Sequence, residues 1–304
     1  MRFEVSVNHS HPLRQPTSND RCWVEPRLRA SLGVCLAVCL MGALSNAAVA
    51  VDCPSTDYSF TSQSEVNAFE PLACDTVTGN LTINGADVTD LSPLQNLSTV
   101  NGFMFIGVFA QGQTANALLT NVDGLSGLTA VGSFLSITAN TALENLDGLT
   151  NLTTVDRLFI SANPLLDNLD GLQGLSGSIG NSLWVYDNPL IRDLDGLSGI
   201  SGELVVNLRI YNSASLQNVD GLAGLAGGVG NLFFSNNPLL TNLDALGGIT
   251  SVAGNLTMDT LPLLQDLAGL SALAGDIGGS LVIARNTALD NLDALNGLTS
   301  VATA

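Results

Sequence analysis

Two sets of residues in this chain have the types and the spacing that chemistry would need. One is a column of acids set inside hydrophobic words: Asp123, Asp147, Asp170, Asp195, Asp220, Asp244 and Asp293 recur at near-constant intervals, with Ala268 once in their place. The other is aromatic and basic: Phe159, Trp184, Tyr186, Arg209, Tyr211 and Phe233 fall at matching places in four successive copies of one short word. Paired carboxylates cleave polysaccharides or, given about six to eight oxygens, bind calcium. Aromatics and Arg concentrate binding energy at interfaces, and flat rings also pack on sugars.

The start of the chain decides which other chemistries remain. Arg27 and Arg29 precede an apolar run, "ASLGVCLAVCLMGAL", and Ala48-Val49-Ala50 then offers a small-x-small site, the pattern of an export signal cleaved after Ala50. The run is shorter than the about 20 residues a membrane span needs, so an uncleaved anchor is the lesser alternative. Removing residues 1–50 removes both histidines, His9 and His11, and leaves Arg157, Arg192, Arg209 and Arg285 against 24 carboxylates, a net charge of −20 with no Lys anywhere. Such a surface repels phosphate backbones and anionic headgroups, so neither nucleic acid nor membrane insertion of the cleaved chain is expected. Without His, a Ser-His-Asp triad, a Cys-His pair and His-rich metal sites all fall away. Cys53 and Cys74 are an even pair in an exported chain and read as a structural disulfide; a redox or metal pair is the weaker reading, because nothing else soft is nearby.

The elements that must position the two columns are repeats. Anchored on the second apolar residue of each "LxI" word, the chain runs Ile83, Ile106, Ile137, Ile160, Val185, Ile210, Phe234, Met258 and Ile283, nine units stepping by 23 to 25 residues except for one step of 31 at the inserted "GVFAQGQTANA". In the unit "LFISANPLLDNLDGLQGLSGSIGN", Leu158 and Ile160 alternate with Phe159 and Ser161 as a half-buried strand does. Asn163-Pro164 ends that strand, the Asn side chain satisfying turn backbone. Leu166, Leu169, Leu172 and Leu175 then recur every three residues, a spacing suited to short extended or turn segments. One unit cannot bury enough to fold alone, so the rungs must stack. The expected fold is all-β, a solenoid of about nine rungs of ~24 residues. Its parts are a leader over residues 1–50, a disulfide-closed capping segment over 51–76 and the repeats over 77–304.

Stacking sets the electrostatics of the acid column. Neighbouring carboxylates would stand about 4.8 Å apart, repelling by about 0.9 kcal/mol in water and about 3.5 kcal/mol at an effective dielectric of 20. The column is tolerable if its members stay wet and accept backbone N–H groups in their turns. Calcium is the functional alternative, but the nonapeptide "GGxGxDx" pattern is absent and one Asp per rung brings few ligands. The reading therefore assigns no metal, no cofactor and no catalytic residue. On the outward strand positions Asp259 is the one acid and Arg209 stands alone, without the clustered acids that polysaccharide cleavage would want beside a basic side chain. The "NLT" and "NLS" words at Asn80, Asn96, Asn151 and Asn255 match the glycosylation acceptor but are also how these rungs begin.

The words "LxIxxNPxL" at Leu158–Leu165 and Leu183–Leu190 resemble the leucine-rich-repeat core. With "NLDGL" and the opening "CDTVTGNLTI", the array is similar to the receptor L-domain family over about residues 74 to 302. That resemblance implies a right-handed β-solenoid and a surface or receptor role, and says little about ligand. The final "NGLTSVATA" carries no recognisable cap, leaving self-association through the last rung open. The reading that emerges is a secreted or cell-surface, non-catalytic protein whose strand face binds a protein or glycan. A structural envelope component assembled through its repeats is the alternative, and a polysaccharide-active β-helix a distant third.

Overall fold

Leu158 and Ile160 point the same way from the strand Thr154–Ser161 and are both fully buried, while Phe159 between them is half-exposed. That alternation recurs rung after rung in the computed structural model, which describes residues 50–108 and 114–302. The leader assigned to 1–50 lies, apart from Ala50, outside the described residues, as does the middle of the inserted segment.

The chain is mostly β, with a long parallel sheet of 13 strands. Ten strands follow one another across it: Tyr58–Phe60, Leu81–Ile83, Met104–Gly107, Ala130–Thr138, Thr154–Ser161, Ser182–Tyr186, Gly202–Tyr211, Leu225–Ser235, Leu256–Asp259 and Leu281–Ala284. Each pairs in parallel with the next, and the register keeps equivalent residues opposite each other, Leu158 with Leu135 on one side and Leu183 on the other. A shorter parallel ladder precedes some of these strands, pairing Thr76–Val77 with Thr99–Val100, the latter with Ala130 and Val131, and Ile249–Val252 with Leu225–Ser235. A separate two-stranded sheet joins Gly275–Ile277 to Leu298–Val301. Among the described residues no helix is long and apolar enough to cross a membrane.

The leucines spaced by three do not form extended segments. They belong to 3-10 turns such as Asp170–Leu172, in which the Leu172 N–H donates to the Leu169 carbonyl at 2.8 Å and the Leu175 N–H to the Leu172 carbonyl at 3.0 Å. Three residues per turn brings Leu169, Leu172 and Leu175 onto one face, and all three are buried. The same turn returns at Asp123–Leu125, Asp147–Leu149, Asp195–Leu197, Asp220–Leu222 and onward, each in contact with its copy in the next unit.

Asn163 is the second surprise. It is wholly buried, and so are Asn116, Asn140, Asn188 and Asn237 at equivalent places. The Asn163 Oδ1 accepts the Asn140 backbone N–H at 3.0 Å, its Nδ2 donates to the Ile137 carbonyl at 2.9 Å, and its own N–H donates to the Asn188 Oδ1 at 3.0 Å. Buried Asn side chains thus do here what water does at an ordinary turn. The residue before four of these Asn is in left-handed backbone, at φ 60° for Ala139, 54° for Ala162, 55° for Asp187 and 53° for Asn236, a conformation that costs a non-glycine residue of order 1–3 kcal/mol.

The two ends of the array differ. At the N-terminal end Cys53 and Cys74 are joined by a disulfide, as the even cysteine pair implied. Helix Gln63–Asn67 begins at Ser62, whose side chain accepts the Glu65 N–H, while the Glu65 carboxylate accepts the Thr61 N–H, which lowers its pKa. Phe60, Val66 and Phe69 bury against the first rung. In the last described rung Leu281, Ile283, Leu289 and Leu298 are only half-buried and Leu292 is exposed.

Candidate functional site

Strand pairing alone brings the aromatic set together. Phe159, Trp184, Arg209 and Phe233 are direct partners across four neighbouring strands, and Ser161, Tyr186, Tyr211 and Ser235 form the adjoining column two residues on. Strands about 4.8 Å apart bring the rings of neighbouring strands into contact. Phe159 and Trp184 lie with centroids 4.3 Å apart and planes 6° from parallel, Tyr186 and Tyr211 at 4.5 Å and 7°. The Arg209 guanidinium sits 5.1 Å from the Trp184 ring and 5.0 Å from that of Phe233, a cation held between two π-faces.

Three further rings extend the row. Phe103 meets Phe105 at 4.6 Å, Phe105 meets Phe134 at 5.1 Å, and Phe134 meets Phe159 at 4.3 Å. Phe103 and Phe134 occupy the outward place just before each "LxI" word, so aligning that place as well would have found them.

The stacking changes what the face offers. Phe159 and Trp184 cover one another, as do Tyr186 and Tyr211, so the flat faces expected to meet a sugar meet each other and the rings present their edges. The Trp184 Nε1 and the Arg209 Nε are buried without a hydrogen-bond partner. Burial, reinforced by the neighbouring Tyr186 and Asp187, pushes the Tyr211 phenol up to about 12. Asp259, the outward acid, is bound to Arg285, and Arg157 lies 3.5 Å from Asp156. Arg209 has no carboxylate partner among the described residues.

The acid column stands elsewhere, at the first position of the 3-10 turns, and Asp123, Asp147, Asp170, Asp195, Asp220, Asp244 and Asp293 are all exposed. The oxygen that accepts the N–H at the start of each turn comes from two residues before the Asp. Asn168 Oδ1 accepts the Asp170 N–H at 3.0 Å, and Asn121, Asn145, Asp193, Asn218, Asn242 and Asn291 do the same for their units. The one replacement is thereby explained, since Ala268 donates its N–H to Asp266 and needs no carboxylate of its own. Asp195 carries the cost of the alignment: partial burial first, then Asp193, Asp220 and Asp170, raise its pKa. Among the described residues no three His, Cys, Asp or Glu side chains are grouped to hold a metal.

The fold and face define a leucine-rich parallel β array with a polar-aromatic strand surface. No family model matches the chain, and no curated protein matches it.

Proposed function

We propose that this chain is an exported, surface-displayed protein that binds a protein or glycan through its strand face and catalyses no reaction. In this reading its rungs make a right-handed solenoid of about nine ~24-residue units, of the receptor L-domain and leucine-rich-repeat type. The observation that carries the reading is the unbroken side-chain row from Phe103 to Phe233, with Arg209 clasped inside it, in a chain only 5% aromatic. A rigid row of rings lowers the entropy lost on binding, and Arg beside aromatics is the composition of interface hot spots. The test is an array of glycans and envelope proteins probed with the wild-type chain and with Trp184→Ala and Arg209→Gln. Binding that both substitutions reduce at least tenfold supports the reading, and binding indifferent to both removes it.

A structural envelope component is the second reading, favoured by the rings covering one another and by the exposed apolar side chain of Leu292. Concentration-dependent assembly abolished by Leu292→Asp, with no ligand on the strand face, would favour it.

A further inference from the structure

Beside the last ring of the row lies a hollow of about 430 Å³ lined by Asn207, Arg209, Asn231, Phe233, Asn255, Thr257 and Ser280. Its volume is within the range of about 300–1,000 Å³ usual for small-ligand sites. Its chemistry departs from the rest of the surface. The hollows lined by Asp290, by Glu203, by Asp167 with Asp193, and by Asp90 with Asp123 all contain carboxylates; this one contains none, although acids far outnumber bases in the chain.

The hydrogen-bond inventory sharpens the contrast. Asn207 and Asn231 are partners within two neighbouring strands and Asn255 immediately precedes the next, and each acceptor oxygen is engaged: Asn207 Oδ1 takes the Asn231 Nδ2 at 3.0 Å, Asn231 Oδ1 takes the Asn255 N–H at 2.8 Å, and Asn255 Oδ1 takes the Ser280 N–H at 2.8 Å. What remains unengaged among the described residues is weighted toward donors: the Asn207 amide, one proton of the Asn255 amide, the Thr257 and Ser280 hydroxyls and the Arg209 guanidinium, against acceptor capacity only at those two hydroxyls and at the second lone pairs of Asn207 Oδ1 and Asn255 Oδ1. Phe233 supplies an apolar wall, and the next strand places Thr257 opposite it instead of another ring.

We infer that this hollow is a subsite for an acidic saccharide, a sugar ring bearing a carboxylate. The inference rests on the strand-face reading above and names its ligand class. The planar guanidinium matches a carboxylate in a two-point bond, sugar hydroxyls accept from the amide row, and the C–H side of the ring packs on Phe233. A peptide fits less well, because its backbone N–H groups need acceptors and donors outnumber them here, Asn231 Oδ1 already taking two bonds. The chain's overall negative charge opposes approach of any anion, so selectivity must come from contact at Arg209.

The experiment titrates the full chain by calorimetry with tetragalacturonate, its methyl ester, the neutral galactose tetramer and a tetraglutamate peptide. Tetragalacturonate is expected to bind at least tenfold more tightly than each of the other three. Arg209→Gln and Asn255→Asp should each weaken it at least tenfold, with Arg209→Lys recovering part of the loss. Asn255→Asp keeps the acceptor for Ser280 and adds a charge at an exposed position, so it tests the idea even if Arg209→Gln misfolds. Equal binding of the ester, or of the peptide, overturns the inference, as does tight binding unchanged in Asn255→Asp. If tetragalacturonate fails while another arrayed ligand binds in a Trp184-dependent way, the ligand class is wrong and the strand-face reading survives; if nothing binds in a Trp184-dependent way, both fall.

Discussion

Asn163 and Phe159 lie four residues apart on one rung and are repeated at the same period, yet the two columns behave in opposite ways. The Asn163 column keeps its identity in most rungs and lies wholly inside the wall, each side chain bonded to the backbone of its neighbours. The Phe159 column changes from Ser136 to Phe159, Trp184, Arg209, Phe233 and Thr257 on an unchanged backbone, and faces outward. Repeated identity marks what the rung needs in order to exist, while varied identity marks where the sequence was free to be used. The exposed Asp column belongs with the first kind by its repetition but does no bonding work with its carboxylates.

The largest expected effect separates the two columns directly. Asn163→Ala strands at least two buried partners, the Asn140 N–H and the Ile137 carbonyl, at about 1–3 kcal/mol each, and should cost about 3–6 kcal/mol in urea unfolding followed by circular dichroism. Faster hydrogen exchange at the Asn140 amide would localise the loss. An undiminished urea midpoint would break the comparison.

Trp184→Ala removes one stacked ring and one cation–π contact on a half-exposed face, worth about 1–2 kcal/mol together. It should therefore destabilise less than Asn163→Ala while abolishing recognition. A larger stability loss than that of Asn163→Ala would assign the ring row to architecture.

Within the 3-10 turn, Asn168→Ala should cost about 1 kcal/mol by removing the cap, whereas Asp170→Ala should stay within about 0.5 kcal/mol. The reverse order would restore the carboxylate as the cap. Asp195→Asn has the smallest effect. Because the folded chain raises the Asp195 pKa, the ionised group destabilises the native state above that pKa, and the penalty disappears as pH falls through the carboxylate range. The substitution should raise the melting temperature slightly at pH 7 and leave it unchanged in acid; a fall at pH 7 would show that the carboxylate is held by an attractive partner.

Much of the scaffold could be read from the sequence because period-two alternation and the 23-to-25-residue step have one physical meaning when repeated. Leu158, Ile160 and their copies were legible as inward residues, and the parallel strand register follows from aligning them. The 3-10 turns were not, since leucines three apart fit several turn geometries until the 2.8 Å Leu172-to-Leu169 bond selects one. Asn163 was legible as a turn residue but not as a buried one: polarity argues for exposure, and only a neighbour at equal height in the next rung supplies its bonds. The six aromatic and basic residues of the face were legible by alignment. Their mutual stacking was not, because it depends on ring orientation, and Phe103 and Phe134 escaped because the place just before each "LxI" word was not aligned.

The central claim is that the strand face recognises a ligand that the repeated columns do not touch. The most direct measurement compares the affinity of the wild-type chain for its best arrayed ligand with that of Trp184→Ala/Tyr211→Ala and of Asp147→Ala/Asp170→Ala, each confirmed folded by circular dichroism. At least a tenfold loss for the first pair and none for the second is the predicted result; equal affinity in all three proteins, or a loss confined to the Asp pair, would contradict it.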